Sequence, residues 1–81
     1  MIISNFRNLT IKNNIAYAEV DVTEYFWIWK KTKTETVFNK VVINNTIHGC
    51  WRWISTGDFT PRDDVENLCA KYQAEQILNS K

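Results

Sequence analysis

From Ala16 to Trp29, apolar and polar positions alternate along the chain. Successive residues of a β-strand point to opposite faces, so this period of two predicts one long strand. Ala18, Val20, Val22, Phe26 and Ile28 fall on one face, and Tyr17, Glu19, Asp21, Thr23, Tyr25, Trp27 and Trp29 on the other. The first is a core face. The second begins polar and ends aromatic, so its later half wants a partner.

Upstream, Leu9 and Ile11 share one alternation face, with Phe6, Thr10 and Lys12 on the other. Asn13-Asn14 then suits a two-residue hairpin turn, because Asn tolerates left-handed backbone. A turn there sets Lys12 opposite Ile15, Ile11 opposite Ala16 and Leu9 opposite Ala18, which brings Leu9 and Ile11 to the core side. Downstream, Lys30-Lys31-Thr32-Lys33 is the expected reversal. With Lys30 opposite Lys33, Phe26 meets Val37, Val22 meets Val41 and Val20 meets Ile43 on the core face. Trp29 then pairs with Thr34, Trp27 with Thr36 and Tyr25 with Phe38 on the other face, all favoured cross-strand neighbours. A slip of one residue would turn Thr and Lys inward.

Asn44-Asn45-Thr46 reads as the third turn, followed by a strand from Ile47 to Ser55. A three-residue loop sends Trp51 and Trp53 to the core side with Val37 and Val41. A two-residue loop would instead bury His48 and Arg52, and burying an unpaired Arg is costly. The three-residue loop is therefore expected. Thr60-Pro61-Arg62-Asp63 predicts a helix start, with Thr60 as N-cap, Pro61 in the first helical position and Asp63 as the capping-box carboxylate. Asp63, Asp64 and Glu66 would complement the positive end of the helix dipole, with Lys71 and Lys81 further along. Val65, Leu68, Cys69 and Tyr72 form one apolar stripe, while Ala70, Ala74, Ile77 and Leu78 lie on another side. The expected fold is α+β: a four-stranded antiparallel β-meander followed by one C-terminal helix packed on one sheet face, as a single β-β-β-β-α domain over residues 1–81.

Composition adds limits. Eighty-one residues make a small core, to which four Trp, three Tyr and four Phe contribute large burial per residue. Ten basic against nine acidic residues give no overall electrostatic signal, and a dedicated duplex-binding protein is usually more basic. The chain carries no leader pattern and no apolar run of membrane-spanning length, so a cytoplasmic location and no membrane partner are expected. Cys50 and Cys69 are too few for a disulfide framework and read as buried free thiols.

Candidate chemistry is sparse. His48-x-Cys50 with Cys69 falls short of the four closely spaced ligands of a structural zinc site. One His, two dispersed Cys and isolated glycines supply neither a nucleophilic triad nor a phosphate cradle. Asp63, Asp64 and Glu66 read as dipole partners, and Thr56-Gly57-Asp58 as a turn. No catalytic residue, cofactor, metal or small-molecule substrate is expected. What stands out is the aromatic face of Tyr25, Trp27, Trp29 and Phe38 beside Lys30, Lys31 and Lys33. A contiguous aromatic patch on a small protein marks an interaction surface. The expected partner is a protein or a second copy of the chain, with a dimer as one form. The second reading is a single-stranded nucleic-acid-binding domain that stacks bases on the aromatics between the lysines.

Trp51-Arg52-Trp53, Thr56-Gly57-Asp58-Phe59-Thr60-Pro61 and Val65-Glu66-Asn67-Leu68, together with Trp27-x-Trp29-Lys30-Lys31, resemble small uncharacterised proteins encoded in tailed-phage and prophage genomes. The resemblance covers about two-thirds of the chain and carries no catalytic residue. It implies an accessory role, such as binding and inhibiting a host component.

Overall fold

The computed structural model describes residues 1–61 and 63–79. It contains β1 (Ile2–Lys12), β2 (Ile15–Phe26), β3 (Trp29–Asn39), β4 (Val41–Ile43), β5 (Thr46–His48), β6 (Arg52–Trp53) and α1 (Asp64–Asn79). A four-stranded antiparallel sheet runs in the order β1-β2-β3-β6, and β4-β5 form a separate two-stranded ribbon. The helix packs on one face of the larger sheet, so the fold is α+β.

The first hairpin forms as the sequence implies. Lys12 opposes Ile15 and Ile11 opposes Ala16. Asn13 and Asn14 have φ of 54° and 62°, the paired positive values of a type I′ turn. Further out, β1 departs from simple alternation. Its register against β2 slips between Ser4 and Arg7 and again between Arg7 and Thr10. Asn5 and Asn8 sit at those slips with φ of 56° and 55°, each the extra residue of a β-bulge. Each bulge resets the in-out phase, so Ile3, Phe6, Leu9 and Ile11 all contribute to the core. Phe6 had been expected on the other face from Leu9 and Ile11. It is buried instead, and packs edge-to-face against Trp51 and Tyr72, with ring centroids 5.5 Å apart in both pairs.

The second hairpin turns earlier than expected. Phe26 opposes Trp29, so the reversal is at Trp27-Ile28 and not at Lys30–Lys33. Val22 therefore meets Lys33, Val20 meets Glu35, Ala18 meets Val37, and Tyr25 meets Lys30. The expected register and the observed one differ by an even number of residues, which leaves Thr34 and Val37 on their expected faces, whereas Trp29, now opposite Phe26, moves to the face away from Tyr25. Alternation alone cannot tell them apart. Val41 and Ile43, expected opposite Val22 and Val20, are exposed, as are Phe26 and Ile28 of the expected core face.

Beyond Asn39 the expected long strand breaks. Asn39 is 1% exposed, its Oδ1 accepts from the Val41 amide at 3.0 Å, and its Nδ2 has no hydrogen-bond partner among the described residues. The chain bends at Lys40, and β4 and β5 are joined by Asn44-Asn45, with Ile43 opposite Thr46. Their φ values of 51° and 64° make this a two-residue type I′ turn in place of the three-residue loop. Trp51 and Trp53 still reach the core side, because Gly49 (φ 84°) and Cys50 interrupt the extended chain and reset its phase. Arg52 consequently faces away from the core, opposite Phe38, and His48 is exposed.

From β6 the chain folds back on itself. The Trp53 amide donates to Asp58 O (2.9 Å), the Gly57 amide to Trp53 O (2.8 Å), and Arg52 bridges to Phe59. Thr60 does not cap the helix. Its amide and hydroxyl both bind Trp51 O, at 3.0 and 3.1 Å. The first helical turn closes from the Asn67 amide to Asp63 O (2.9 Å), which makes Asp63 the residue that flanks the helix start. Arg62 and Lys81, which the sequence reading placed at the two ends of this helix, lie outside the described residues. Val65 and Cys69 are buried, with Leu68 and Tyr72 packed beside them, so the expected stripe is the inner face of α1, whereas Ile77 and Leu78 are exposed. Cys69 is buried as expected but Cys50 is exposed, and the two form no disulfide.

Candidate interaction surface

The last pair joining β1 to β2 is Ile2 with Thr23, and β6 pairs only with Val37 and Phe38 of β3. Between them, Glu24 to Lys31 form a two-stranded arm that projects beyond the sheet by roughly 10 Å at strand rise. The molecule measures 44 × 30 × 18 Å, and its radius of gyration of 13.3 Å exceeds the roughly 12 Å of a compact chain this long.

Apolar residues are concentrated at the end of the arm. Trp27 is 102% exposed, Ile28 93% and Trp29 73%, with Tyr25 and Phe26 also exposed beside them. Trp27 has φ of 54°, a left-handed conformation that a bulky residue adopts only at a cost. A glycine or asparagine is the usual occupant of such a turn, so the tip carries a strained tryptophan in full contact with solvent.

The arm also offers hydrogen-bonding groups along its outer edge. Phe26 and Trp29 close a two-residue turn, so the amides and carbonyls of Lys30, Thr32 and Thr34 point away from β2. The same phase explains why Thr36 O accepts from the Ile54 amide at 2.9 Å. No described strand pairs with β3 at Lys30, Thr32 or Thr34. On the helix side of the arm, two shallow clefts of about 190 and 170 Å³ share Val22, Glu24 and Lys33, and no residue of α1 lines either. Lys33 Nζ lies 3.1 Å from Glu35 Oε1.

The expected site residues are thus divided. Tyr25, Trp27, Trp29, Lys30 and Lys31 lie on the arm, Trp29 sharing a face with Phe26 and not with Tyr25, and Lys33 stands at its root opposite Val22. Phe38 is not among them. It stands opposite Tyr17, in the body of the sheet, with Lys40 Nζ 5.8 Å from its ring centroid and Arg52 on its other side. Arg52 in turn lies over the Phe59 ring at 4.1 Å, and its Nη1 donates to Gly57 O (3.2 Å). This second aromatic and basic group escaped sequence reasoning because Tyr17 and Phe59 are far apart in the chain. The signal available for it was the Thr56-Gly57 turn, which returns Phe59 to the strand that carries Arg52.

Between the two groups, the open face holds a polar cluster. Asp21 accepts from Asn5 Nδ2 (3.0 Å), Arg7 Nη1 (3.0 Å) and Thr34 Oγ1 (3.1 Å). The Asn5 amide foremost, joined by Arg7 and Thr34, holds its carboxyl below the ordinary aspartate range, while desolvation, second in size to Asn5 alone, pushes the other way. Arg7 also lies 3.8 Å from Glu19, which accepts from Asn8 Nδ2 at 3.3 Å. Burial raises the Cys69 thiol to about 11, so it is protonated and unreactive at neutral pH. Among the described residues, no three His, Cys, Asp or Glu side chains come together in a metal-binding group, and no helix is long and apolar enough to cross a membrane.

Compared with protein-family models, with curated proteins and with solved structures, the chain matches none.

Proposed function

We propose that this chain is a non-catalytic protein-interaction module that engages its partner through the tip of the β2–β3 arm. The observation that carries this reading is the unbroken run of exposed apolar side chains from Tyr25 to Trp29 on a projecting hairpin. Exposed apolar area on this scale is rare on soluble monomers unless something covers it. Trp and Tyr are enriched among the residues that dominate binding energy. The strained backbone at Trp27 supports the same reading, since the body of the protein gains no packing from that side chain. The resemblance to tailed-phage and prophage proteins favours an accessory role, in which the arm inserts into a host or phage protein, or into a second copy of this chain.

The test is light scattering behind size exclusion, with capture from bacterial lysate, on wild type and on a Trp27→Ala/Trp29→Ala variant. A dimer or a captured protein lost in a variant that melts at the wild-type temperature is the expected result. An unchanged oligomeric state together with an unchanged set of captured proteins sinks the reading.

A further inference from the structure

We infer a second binding site, independent of the arm: the band of Tyr17, Phe38, Arg52 and Phe59 on the open sheet face, flanked by Lys12 and Lys40, binds single-stranded nucleic acid.

The register builds this band. Tyr17 pairs with Phe38, Phe38 with Arg52, and Arg52 bridges to Phe59, so the four side chains stand side by side across the sheet. At strand spacing, Tyr17 and Phe59 are roughly 14 Å apart, with the other two between them. Tyr17 and Phe38 are half-buried and Phe59 is 60% exposed, so their rings are both supported and accessible. A base can stack on any accessible ring face, and also on an arginine plane. Arg52 is held for this by the Phe59 ring on one side and by its bond to Gly57 O.

Charge is sorted around the band. Lys12, opposite Ile15, shares the face of Thr10 and Tyr17, and Lys40 reaches over the Phe38 ring. Asp58 stands opposite Trp53, on the helix side, and Asp63 and Glu66, at the start of α1, line a cavity with Phe59 at the end of the band away from Lys12. The open-face carboxylates nearest the band, Glu19 and Asp21, are already engaged by Arg7, Asn5 and Asn8. The band therefore places three cations, Lys12, Lys40 and Arg52, beside three rings, with Asp63 and Glu66 lining a cavity at its Phe59 end only. Three phosphate contacts to a single strand predict a shallow salt dependence, with log K falling against log salt at a slope of about −2.

The test is fluorescence anisotropy of short labelled oligothymidylate and oligoadenylate, as DNA and as RNA, over a range of salt. Wild type is expected to bind at least one of them with that slope. Phe59→Ala should weaken binding roughly 5-fold or more, the loss of one stacking partner. Lys40→Ala should reduce the slope by about 0.7, and it tests the site should Phe59→Ala fold poorly. Trp27→Ala/Trp29→Ala should bind as wild type does, which separates this site from the arm. No binding at low salt overturns the proposal. So does equal binding of polyglutamate, which has charge and no bases, or loss of binding in the arm variant with Phe59→Ala unaffected.

Discussion

The chain contains the pattern Trp-x-Trp twice, and the two copies end in opposite environments. In Trp51-Arg52-Trp53, Trp51 is 1% exposed against Phe6, and Trp53 lies opposite Val37 on the helix side of the sheet. In Trp27-Ile28-Trp29, the first two residues are a turn and all three side chains face solvent. Residue type and spacing are the same, so neither decides burial. The partner strand decides it. Trp51 and Trp53 have β1, β3 and α1 around them, whereas β1 ends before the arm begins and β6 never reaches it.

The most direct attack on this contrast is truncation. Trp51→Ala removes a fully buried ring and its edge-to-face contact, and should cost about 3–5 kcal/mol in urea denaturation, enough to unfold much of a small domain. Trp27→Ala should change stability by less than about 0.5 kcal/mol, as surface substitutions usually do. If the two variants lose equal stability, the arm packs on the body and the contrast is false.

A smaller effect tests how Phe6 comes to lie against Trp51. Asn8 holds one of the bulges that swing Phe6 inward, at φ 55°. Asn8→Ala should cost about 1–2 kcal/mol, because alanine bears the left-handed penalty without the asparagine's local hydrogen bonding. Asn8→Gly should cost less, having no side chain to clash. Equal losses in both would assign the effect to the Asn8–Glu19 hydrogen bond at 3.3 Å and not to the bulge.

These bulges also mark the limit of what the chain reveals before folding. The α+β class, the first hairpin and the inner face of α1 were legible because two signals agreed at each: turn chemistry with alternation at Asn13-Asn14, and helical spacing with composition at Val65, Leu68, Cys69 and Tyr72. Phe6 was misplaced because a bulge changes the phase of alternation without changing composition. The turn at Trp27-Ile28 was missed because an even slip conserves facing, and Trp is a poor occupant of positive φ. Among the candidate site residues, those close in sequence stayed together on the arm, and Phe38 left because its place depended on that register.

The arm's own residue gives the next measurement, with the opposite sign. Trp27→Gly relieves the left-handed penalty at φ 54° and removes no buried contact, so it should stabilise the fold by about 1 kcal/mol. The same change should abolish whatever the tip binds. A substitution that raises the denaturation midpoint while destroying binding would show that this tryptophan is kept at the expense of stability. A fall in the midpoint would instead mean that the tip supports the body.

The smallest effect lies where arm and body meet. Asp21 joins β1, β2 and β3 through Asn5, Arg7 and Thr34, close to the Ile2–Thr23 pair beyond which β1 no longer flanks β2. Its carboxyl is held below the ordinary value of 3.8, first by Asn5 and then by Arg7 and Thr34, so as the medium is acidified the unfolded chain takes up the proton before the folded one does. Stability from this group is therefore present in full above that ordinary value and is lost as pH falls through the lower, folded one. Solvent access to the cluster keeps the gain modest. Urea midpoints of wild type and Asp21→Asn should differ near neutral pH and converge as pH falls through the lowered, folded value, with Asp21→Asn showing the flatter pH profile. A gap that stays constant across that range would mean that the hydrogen bonds, which asparagine can partly replace, hold the root of the arm and that the charge on Asp21 does not.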